Sequence, residues 1–272
     1  MTKVLKQQAL NDTMLLREDR GPVAVLILNR PDVRNSLSLE MIGALHGEIQ
    51  KLGDSDAIRA IVVTGAGSAF SSGHDLKEMT AHRNDPDRGR AFFAKTMAGC
   101  SEMMLSIVRC PKPVIAAVNG IATAAGCQLV ASCDLAVASI DARFATPGVN
   151  IGLFCSTPMV ALSRNVSRKA AMEMLLLGEM VGAEDAKTLG LVNRVVPADR
   201  VVNGAVELGR QIAEKPKRTL KIGKEAFYRQ LEMPLKDAYT HTSSIMVENM
   251  LDEEAKEGIG AFIDKRAPRW PR

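Results

Sequence analysis

Two stretches of the sequence combine residue types that can stabilise a developing negative charge without using a charged side chain. Residues 60–79 read AIVVTGAGSAFSSGHDLKEM, and residues 113–139 read PVIAAVNGIATAAGCQLVASCDLAVAS. In each stretch an apolar run is followed by small residues and then by a predicted helix. A helix that opens at a strand end presents unpaired N–H groups and the positive end of its dipole. The two loops can therefore offer N–H groups to one carbonyl oxygen from two sides.

The small residues of the second stretch also have a simpler interpretation. After the turn signal at residues 119–120, Ala122, Ala124, Ala125 and Gly126 let the backbone approach a ligand or another backbone closely. Ordinary packing of a helix against a strand needs no ligand. The loop by itself therefore leaves both interpretations open.

Strands and helices are predicted to alternate on either side of these loops. Residues 14–28 indicate a hairpin, residues 113–118 a buried strand, and residues 134–138 a further strand. Ser36 or Ser38 can cap a helix whose apolar residues recur at helical spacing. This alternation predicts an α/β core with right-handed crossovers.

The strand patterns end near residue 200. We therefore assign residues 1–200 to the core and residues 201–272 to a C-terminal helical region. Within that region a basic run is expected to form a solvated helix face, and it consists of Lys215, Lys217, Arg218, Lys221 and Lys224.

Composition excludes several classes of function. The formal net charge of +4 and the aromatic content of 4% argue against nucleic-acid binding. No apolar run reaches the roughly 18 residues that a membrane span needs. The first residues show neither a signal-peptide core nor a transit pattern, so a cytoplasmic protein is expected. Nothing in the sequence indicates a metal.

The cysteines suggest little chemistry of their own. There are five, without a CxxC pair, so neither a disulfide framework nor a zinc site is indicated. Most are expected to be buried thiols. Cys155 beside Ser156 is a candidate nucleophile only if one of the four histidines lies next to it.

Six segments together resemble the crotonase, or enoyl-CoA hydratase/isomerase, superfamily. They are LNRPDVRNSL at 28–37, FSSGHDLKEM at 70–79, PVIAAVNGIATAAGCQL at 113–129, FATPGVNIGLFCSTP at 144–158, LGLVNRVVP at 189–197 and AFIDKRAPRW at 261–270. The resemblance implies a crotonase-like (ClpP/crotonase) ββα spiral with a C-terminal helical trimerisation region. It also implies a homotrimer or dimer of trimers that binds acyl-CoA or enoyl-CoA. Coenzyme A would be part of the thioester substrate, with no separate cofactor.

The resemblance also implies which residues form the site. The oxyanion-hole donors would be the backbone N–H groups of His74 and Ala125, with Asp75 capping the following helix. A solvated loop remains the alternative for Arg34, and a flexible tail for Lys265. The residues implied in substrate or coenzyme A binding are Arg34, Ser72, Gly73, Asp75, Leu76, Gly126, Phe262 and Lys265. The Met and Phe residues of the helix after residue 90 are interpreted as core, with an acyl-pocket wall as the alternative.

The sequence departs from the superfamily at the positions that carry hydration chemistry. Hydratases use two glutamates, and the matching positions here are Gln128 and Gly148. A third acid found in some relatives would fall near Cys155 or Ser156. Because an amide and a glycine cannot transfer protons as carboxyl groups do, hydratase activity is expected to be weak despite an intact thioester site.

Three functional hypotheses follow. The first is an enoyl-CoA hydratase-type lyase with altered chemistry, in which Gln128, Asn150, Ser156 or His74 places water or a different substrate. The second is a non-catalytic acyl-CoA binder, and the third is a structural family member that keeps the trimeric core for assembly. Turnover of an enoyl-CoA, binding without turnover, and no binding distinguish them.

Overall fold

The computed structural model describes residues 13–271, which form two β-sheets surrounded by helices. The strands are β1 (Leu15–Arg20), β2 (Val23–Leu28), β3 (Ala60–Gly65), β4 (Ala69–Ser71), β5 (Val114–Val118), β6 (Ile121–Thr123), β7 (Leu135–Ser139), β8 (Arg143–Ala145), β9 (Val181–Gly182) and β10 (Arg194–Val196). The larger sheet has the order β1-β2-β3-β5-β7-β10, and the smaller has the order β4-β6-β8-β9. All neighbouring strands are parallel except the pairs β1–β2 and β8–β9.

The helices follow the strands in a repeating pattern. They are α1 (Leu39–Asp54), α2 (Leu76–Ala81), α3 (Arg90–Arg109), α4 (Ala125–Ser132), α5 (Pro158–Leu162), α6 (Arg168–Leu177), α7 (Ala183–Leu189), α8 (Val201–Ala213), α9 (Lys217–Gln230), α10 (Leu235–Met250) and α11 (Glu253–Ile263). The pairs β3–β4 and β5–β6 each place one strand in the larger sheet and the next in the smaller sheet before a helix begins. This is the expected ββα repeat.

The larger sheet is buried on both faces, as its apolar sequence predicts. Along β2 the side chains alternate, so that Leu26 and Leu28 enter the main core while Val23 and Val25 face the other side. That second face is covered by α8 through residues including Val206. The first helix after the predicted boundary at residue 200 thus packs directly on the sheet.

Two of the sequence predictions are confirmed in detail. The hairpin is formed by β1 and β2 in antiparallel register. Helix α1 begins after Ser38, whose hydroxyl accepts a hydrogen bond from the N–H of Met41 at 3.2 Å. The short strand β6 was not predicted, because three residues between a turn and a helix are too few to show the alternation of apolar and polar side chains that is typical of a strand.

Helix α3 is the one described helix whose length and apolar composition would allow it to cross a membrane. It is amphipathic in the structure. Cys100, Met103 and Ile107 are buried, whereas Lys95 and Glu102 on the outer face are exposed. Met103 and Met104 therefore pack in the core, as the preferred interpretation of the stripe predicted, whereas Phe92, Phe93 and Met97 are only partly buried.

Hydrogen bonds from the Lys224 side chain, in α9, connect the C-terminal helices to the core. The Lys224 ammonium donates to Asp134 Oδ2 at 2.6 Å and to the carbonyl oxygens of Ile107 and Lys112 at 3.0 Å. Tyr228 donates to Asp134 Oδ1 at 2.9 Å, and burial raises the pKa of its phenol. The expectation of a solvated basic face is therefore wrong for Lys224, because the side chain reaches inward to a carboxylate ninety residues away in sequence.

Replacing Lys224 with Met should lower the free energy of unfolding by about 2–4 kcal/mol, because the partly buried Asp134 carboxylate loses its cation. Urea unfolding followed by circular dichroism measures the change. The control is Lys221→Met, an exposed position on the same helix. Equal stability of the two variants would contradict an anchoring role for Lys224.

Candidate functional site

The first loop of the site follows β4 and forms a single parallel β-bridge between His74 and Leu37. The backbone N–H group of His74 points away from Leu37. Leu37 donates its N–H to the Gly73 carbonyl at 2.7 Å and accepts from the N–H of Asp75 at 3.2 Å. These two bonds flank His74, so the His74 N–H points to the opposite side, as in any parallel bridge. It has no hydrogen-bond partner among residues 13–271.

The second loop precedes α4 and presents the other N–H group. Ala124 has φ +50°, an uncommon conformation for a residue with a Cβ, and its N–H donates to the Ala145 carbonyl at 2.9 Å. The chain then turns into the helix, where Gln128 donates its N–H to the Ala124 carbonyl at 3.0 Å. Ala125 is the first helical residue, so its N–H has no acceptor within the helix.

The two loops are in direct backbone contact. A Cβ built on Gly73 would lie 3.1 Å from the Ala125 nitrogen, and one built on Gly126 would lie 2.2 Å from the Ser71 carbonyl oxygen. The Thr123 hydroxyl donates to the Ser72 carbonyl at 3.1 Å across the same contact. The structure therefore brings His74, Ala125, Gly73 and Gly126 together, with both predicted donors at one junction.

Asn35 holds the first loop in place and was missed by the sequence analysis. Its Nδ2 donates to the carbonyl oxygens of Ala66 and Ala69 at 2.9 and 2.7 Å, and its Oδ1 accepts from the Arg30 N–H at 2.9 Å. Its own carbonyl accepts from the Ser71 hydroxyl at 2.9 Å. The sequence feature that could have identified Asn35 is its residue type, because asparagine in a turn readily adopts the left-handed conformation, and Asn35 has φ +52°.

Asp75 caps α2, as predicted. Its Oδ1 accepts from the N–H groups of Lys77 and Glu78, while Oδ2 accepts from the Ser36 hydroxyl at 3.0 Å and the Arg30 guanidinium at 3.1 Å. Burial alone would raise the pKa of this carboxyl, but these hydrogen bonds outweigh burial and hold the pKa below its usual value. Asp75 is therefore an ionised structural group.

His74 is partly buried, and both of its ring nitrogens lie out of contact with solvent. Neither ring nitrogen has a hydrogen-bond partner within the described chain. Burial lowers the pKa of the imidazole, with a smaller opposing effect from the backbone of Leu37. The ring is therefore neutral at pH 7 and retains one nitrogen lone pair.

The two positions matching the hydratase glutamates have different surroundings. Gln128 is 5% exposed and its Oε1 has no partner among the described residues, on the helix face that also carries Ala125. At Gly148 an added Cβ would lie 2.7 Å from the Leu153 carbonyl and 3.0 Å from the Cys155 sulfur. Gln128 therefore has a side-chain oxygen without a partner in the described part of the chain, whereas the backbone at Gly148 leaves no room for a side chain.

The other candidate groups near this loop have structural roles or low reactivity. Asn150 donates to the Gly178 carbonyl at 3.4 Å, and the Ser156 hydroxyl to the Phe154 carbonyl at 3.4 Å. Burial raises the pKa of the Cys155 thiol, which disfavours the nucleophilic thiolate. The structure gives no support to a Cys155 nucleophile.

The remaining predicted contacts fall into two groups. Arg34 is exposed and its carbonyl accepts from the Ser72 N–H at 3.0 Å, while Leu76 is 49% exposed at the start of α2, so both border the site. Phe262 is 85% exposed and lies, with the following Lys265, at the end of α11, which packs on α9 and α10. The chain by itself does not bring these last two residues to the junction.

A separate cavity lies away from this junction. It has a volume of about 540 Å³ and is lined by residues that precede β3 and β5, including Arg59 and Pro113. It therefore opens at the opposite end of the parallel strands from the loops after β4 and β6. No cluster of His, Cys, Asp and Glu suited to a metal occurs among residues 13–271.

The two sheets and the repeated ββα units define a class of fold, and sequence comparison assigns the chain to a family with this fold. The sequence model of the enoyl-CoA hydratase/isomerase family matches residues 18–272. The chain therefore belongs to the enoyl-CoA hydratase/isomerase family, and the predicted crotonase-like fold is confirmed.

Within the family, the chain is similar to enoyl-CoA hydratase domain-containing protein 3, as the motifs SSGHDLKE, AAGCQLVASCD and FATPGVN predict. The Xenopus laevis protein is 46% identical over 94% of this chain and 85% of its own length. The crystal structure of the human protein has 44% identity and a TM-score of 0.89, covering 95% of this chain and 100% of that one. An enoyl-CoA hydratase from Mycobacterium smegmatis has 50% identity and a TM-score of 0.90, covering 95% and 99%. The vertebrate relatives are named as mitochondrial, so their names do not support the cytoplasmic expectation.

Replacing Gly126 with Ala should destabilise the protein by about 3 kcal/mol, because the new methyl group overlaps the Ser71 carbonyl. Urea unfolding measures the change. Gly223→Ala, also in a helix but with open space around it, should be neutral or stabilise by about 0.5–1 kcal/mol. If Gly126→Ala behaves like this control, the loops are not in contact.

The buried His74 should make the protein less stable as the pH falls. The imidazole of the unfolded chain takes up a proton near its ordinary pKa of 6.5, whereas the folded imidazole has a lowered pKa and does so only at lower pH. The free energy of unfolding should therefore decrease as the pH drops below 6.5, until the folded pKa is passed. Melting curves recorded from pH 7 to pH 5 should show a smaller decrease for His74→Phe. The variant His82→Ala, at a position bonded to Asp85, serves as the control, and an unchanged slope in His74→Phe would refute the assignment.

Proposed function

We propose that this chain binds acyl-CoA thioesters at the junction of the two loops. The thioester carbonyl oxygen accepts hydrogen bonds from the backbone N–H groups of His74 and Ala125. The observation that carries this proposal is that neither N–H group has a hydrogen-bond partner among residues 13–271, at a place where two backbones touch. Two convergent amide donors suit an oxygen that gains negative charge in an enolate.

Coenzyme A itself would contact the rim of this junction. Arg34 is exposed beside Ser72, where a guanidinium can pair with phosphate. Gly73 and Gly126 let the two loops approach closely enough for both donors to serve one carbonyl oxygen. Phe262 and Lys265 would reach the ligand from a neighbouring copy in a trimer or dimer of trimers.

Exposed apolar side chains support such an assembly. Leu235 and Leu251, at the two ends of α10, are both 75% exposed, and Ile263 is 70% exposed. Apolar residues exposed to this degree on adjacent helices are typical of surfaces that become buried in an oligomer. Two further exposed residues of this surface are Phe227 and Leu231.

Hydration of enoyl-CoA is expected to be slow. A positioned proton donor or acceptor contributes about 10²–10⁴ in rate, and both matching positions lack a carboxyl group. Gln128, whose buried Oε1 has no partner among the described residues, carries an amide that can accept a hydrogen bond but cannot take a proton from water. At Gly148 the Leu153 carbonyl and Cys155 sulfur occupy the space that an acid would need.

A non-catalytic acyl-CoA binder is the second candidate function. The close contact of the two loops, together with the closed Gly148 position, favours it. Under this alternative the chain would sequester or sense thioesters. The same experiment separates the two functions, because it measures binding before turnover.

The first measurement is calorimetric titration with acetyl-CoA and octanoyl-CoA, followed by the absorbance of the enoyl thioester with crotonyl-CoA. We expect micromolar binding with hydration at least about 10²-fold slower than that of a two-glutamate hydratase. Gln128→Glu should raise the hydration rate, whereas Gln128→Asn should not.

The results separate the three hypotheses. Binding without turnover in every variant identifies a binder. Turnover that is lost in Gln128→Ala identifies a hydratase with altered chemistry. A failure to bind either thioester contradicts the proposed site and leaves a structural role.

A further inference from the structure

We propose that the cavity at the amino ends of β3 and β5 is a second binding site, which takes a phosphate-bearing small molecule of nucleotide size. The cavity lies at the opposite end of the parallel strands from the two-loop junction, so the site is separate from the proposed thioester site. Its volume of about 540 Å³ falls within the range of pockets that hold small ligands. The site does not depend on thioester binding at the junction.

The walls of the cavity carry charges of both signs. Three of the basic residues lie at the start of α9, within the basic run that the sequence shows at residues 215–224. The basic lining residues are Arg59, Lys112, Lys217, Arg218 and Lys221. The acidic lining residues are Asp54, Asp252, Glu253 and Glu254. By number alone these charges almost balance, so the ligand that the cavity favours depends on which charges are already paired.

Three of the four acids are engaged with other groups. The Glu254 carboxylate accepts a hydrogen bond from the backbone N–H of Arg218 at 3.0 Å, at the start of α9. Asp252 accepts from the Glu254 N–H at 3.0 Å and pairs with the Arg218 guanidinium. Glu253 lies 3.5 Å from the Lys256 ammonium. These carboxylates are therefore not available to neutralise the other cations of the cavity.

Three of the basic residues have no carboxylate partner. Arg59, Lys112 and Lys221 form no ion pair among residues 13–271, whereas the other two basic residues each face a carboxylate. Arg59 donates to the Lys215 carbonyl at 2.7 Å, and Lys221 is exposed. The fourth acid, Asp54, is exposed and also forms no ion pair within the described chain. The cavity therefore has more unpaired positive charge than unpaired negative charge, which favours an anion.

Lys112 gives the cavity a buried cation. It is 5% exposed, and its ammonium donates to the carbonyl oxygens of Leu52 and Ser55 at the end of α1. An ammonium has three donors, so one remains beyond these two carbonyls. Carbonyl groups at a helix end carry only partial negative charge, whereas a buried cation is best stabilised by a full negative charge. A phosphate group beside Lys112 would supply that charge.

A second cavity allows the ligand to extend beyond its phosphate. Its volume is about 420 Å³, and it shares Pro111 and Lys221 with the first cavity. Arg229 lines it and forms no ion pair among the described residues, and Tyr228 contributes to the same wall. A phosphate held by Lys221 can therefore continue into an organic group that packs against Pro111 and Tyr228.

Calorimetric titration of the full chain with pyrophosphate and with ADP tests the site. Lys221→Gln and Arg59→Gln should each weaken ADP binding by about tenfold or more, because a charged hydrogen bond to phosphate is lost. The matched control is Lys95→Gln, which removes the same charge from an exposed position on α3 outside both cavities and should bind ADP like the unaltered protein. Octanoyl-CoA is titrated into the same proteins, and circular dichroism confirms that each variant is folded.

The outcomes separate this site from the thioester site. ADP binding that weakens in both cavity variants but not in Lys95→Gln, with octanoyl-CoA binding unchanged, supports the second site. ADP binding that neither cavity variant weakens overturns it, because the nucleotide then lies elsewhere. Equal weakening in Lys95→Gln also overturns it, since net charge alone would explain the loss.

The remaining outcomes concern the two ligands together. Octanoyl-CoA binding that is lost in the cavity variants overturns a separate site, because the cavity would then belong to the coenzyme A site. A protein that binds neither pyrophosphate nor ADP overturns the inference. A failure of octanoyl-CoA alone contradicts the proposed function, while ADP binding that depends on Lys221 and Arg59 still supports the second site.

Discussion

The structure depends on the close approach of two backbone segments that leave no space for side chains. At Gly126 an added Cβ would lie 2.2 Å from the Ser71 carbonyl, and at Gly120 it would lie 2.0 Å from the Ser68 carbonyl. Gly65 is equally tight against the Ala69 carbonyl. Gly65 and Gly120 lie where the chain passes from the larger sheet to the smaller one, and Gly126 lies in the first turn of α4. Close backbone contacts of this kind both join the sheets and bring the loop of His74 against the start of α4, so the fold and the candidate site depend on the same packing.

A site formed by the backbone explains why a protein can belong to the family and still lack the family's hydratase activity. An oxyanion hole made of amide groups depends on the path of the backbone and tolerates changes of side chain. Proton transfer depends on side chains, and here an amide and a glycine stand at the two positions that matter for hydration. A family name therefore describes the backbone part of the site, while the reaction must be argued from side chains such as that of Gln128.

The sequence allowed the local elements and the loops to be predicted, because their signals lie within a few residues. Ser38 caps α1, Asp75 caps α2, and the glycine-rich loops follow the predicted strands. The contacts of Asn35 and Lys224 could not be predicted in this way. Asn35 bonds to a carbonyl 34 residues away, and Lys224 to a carboxylate 90 residues away. Such pairs depend on tertiary packing, and a single sequence carries no record of them.

The closed turn at Gly148 has an evolutionary consequence. The turn is fixed by a hydrogen bond of 2.9 Å from the Leu153 N–H to the Gly148 carbonyl, and the Cys155 sulfur fills the space beside it. A mutation that introduced an acid here would first meet a steric barrier, so the turn would have to be rebuilt before the acid could become useful. A lineage with this turn can explore new chemistry through its remaining side chains more readily than it can return to a two-carboxylate site.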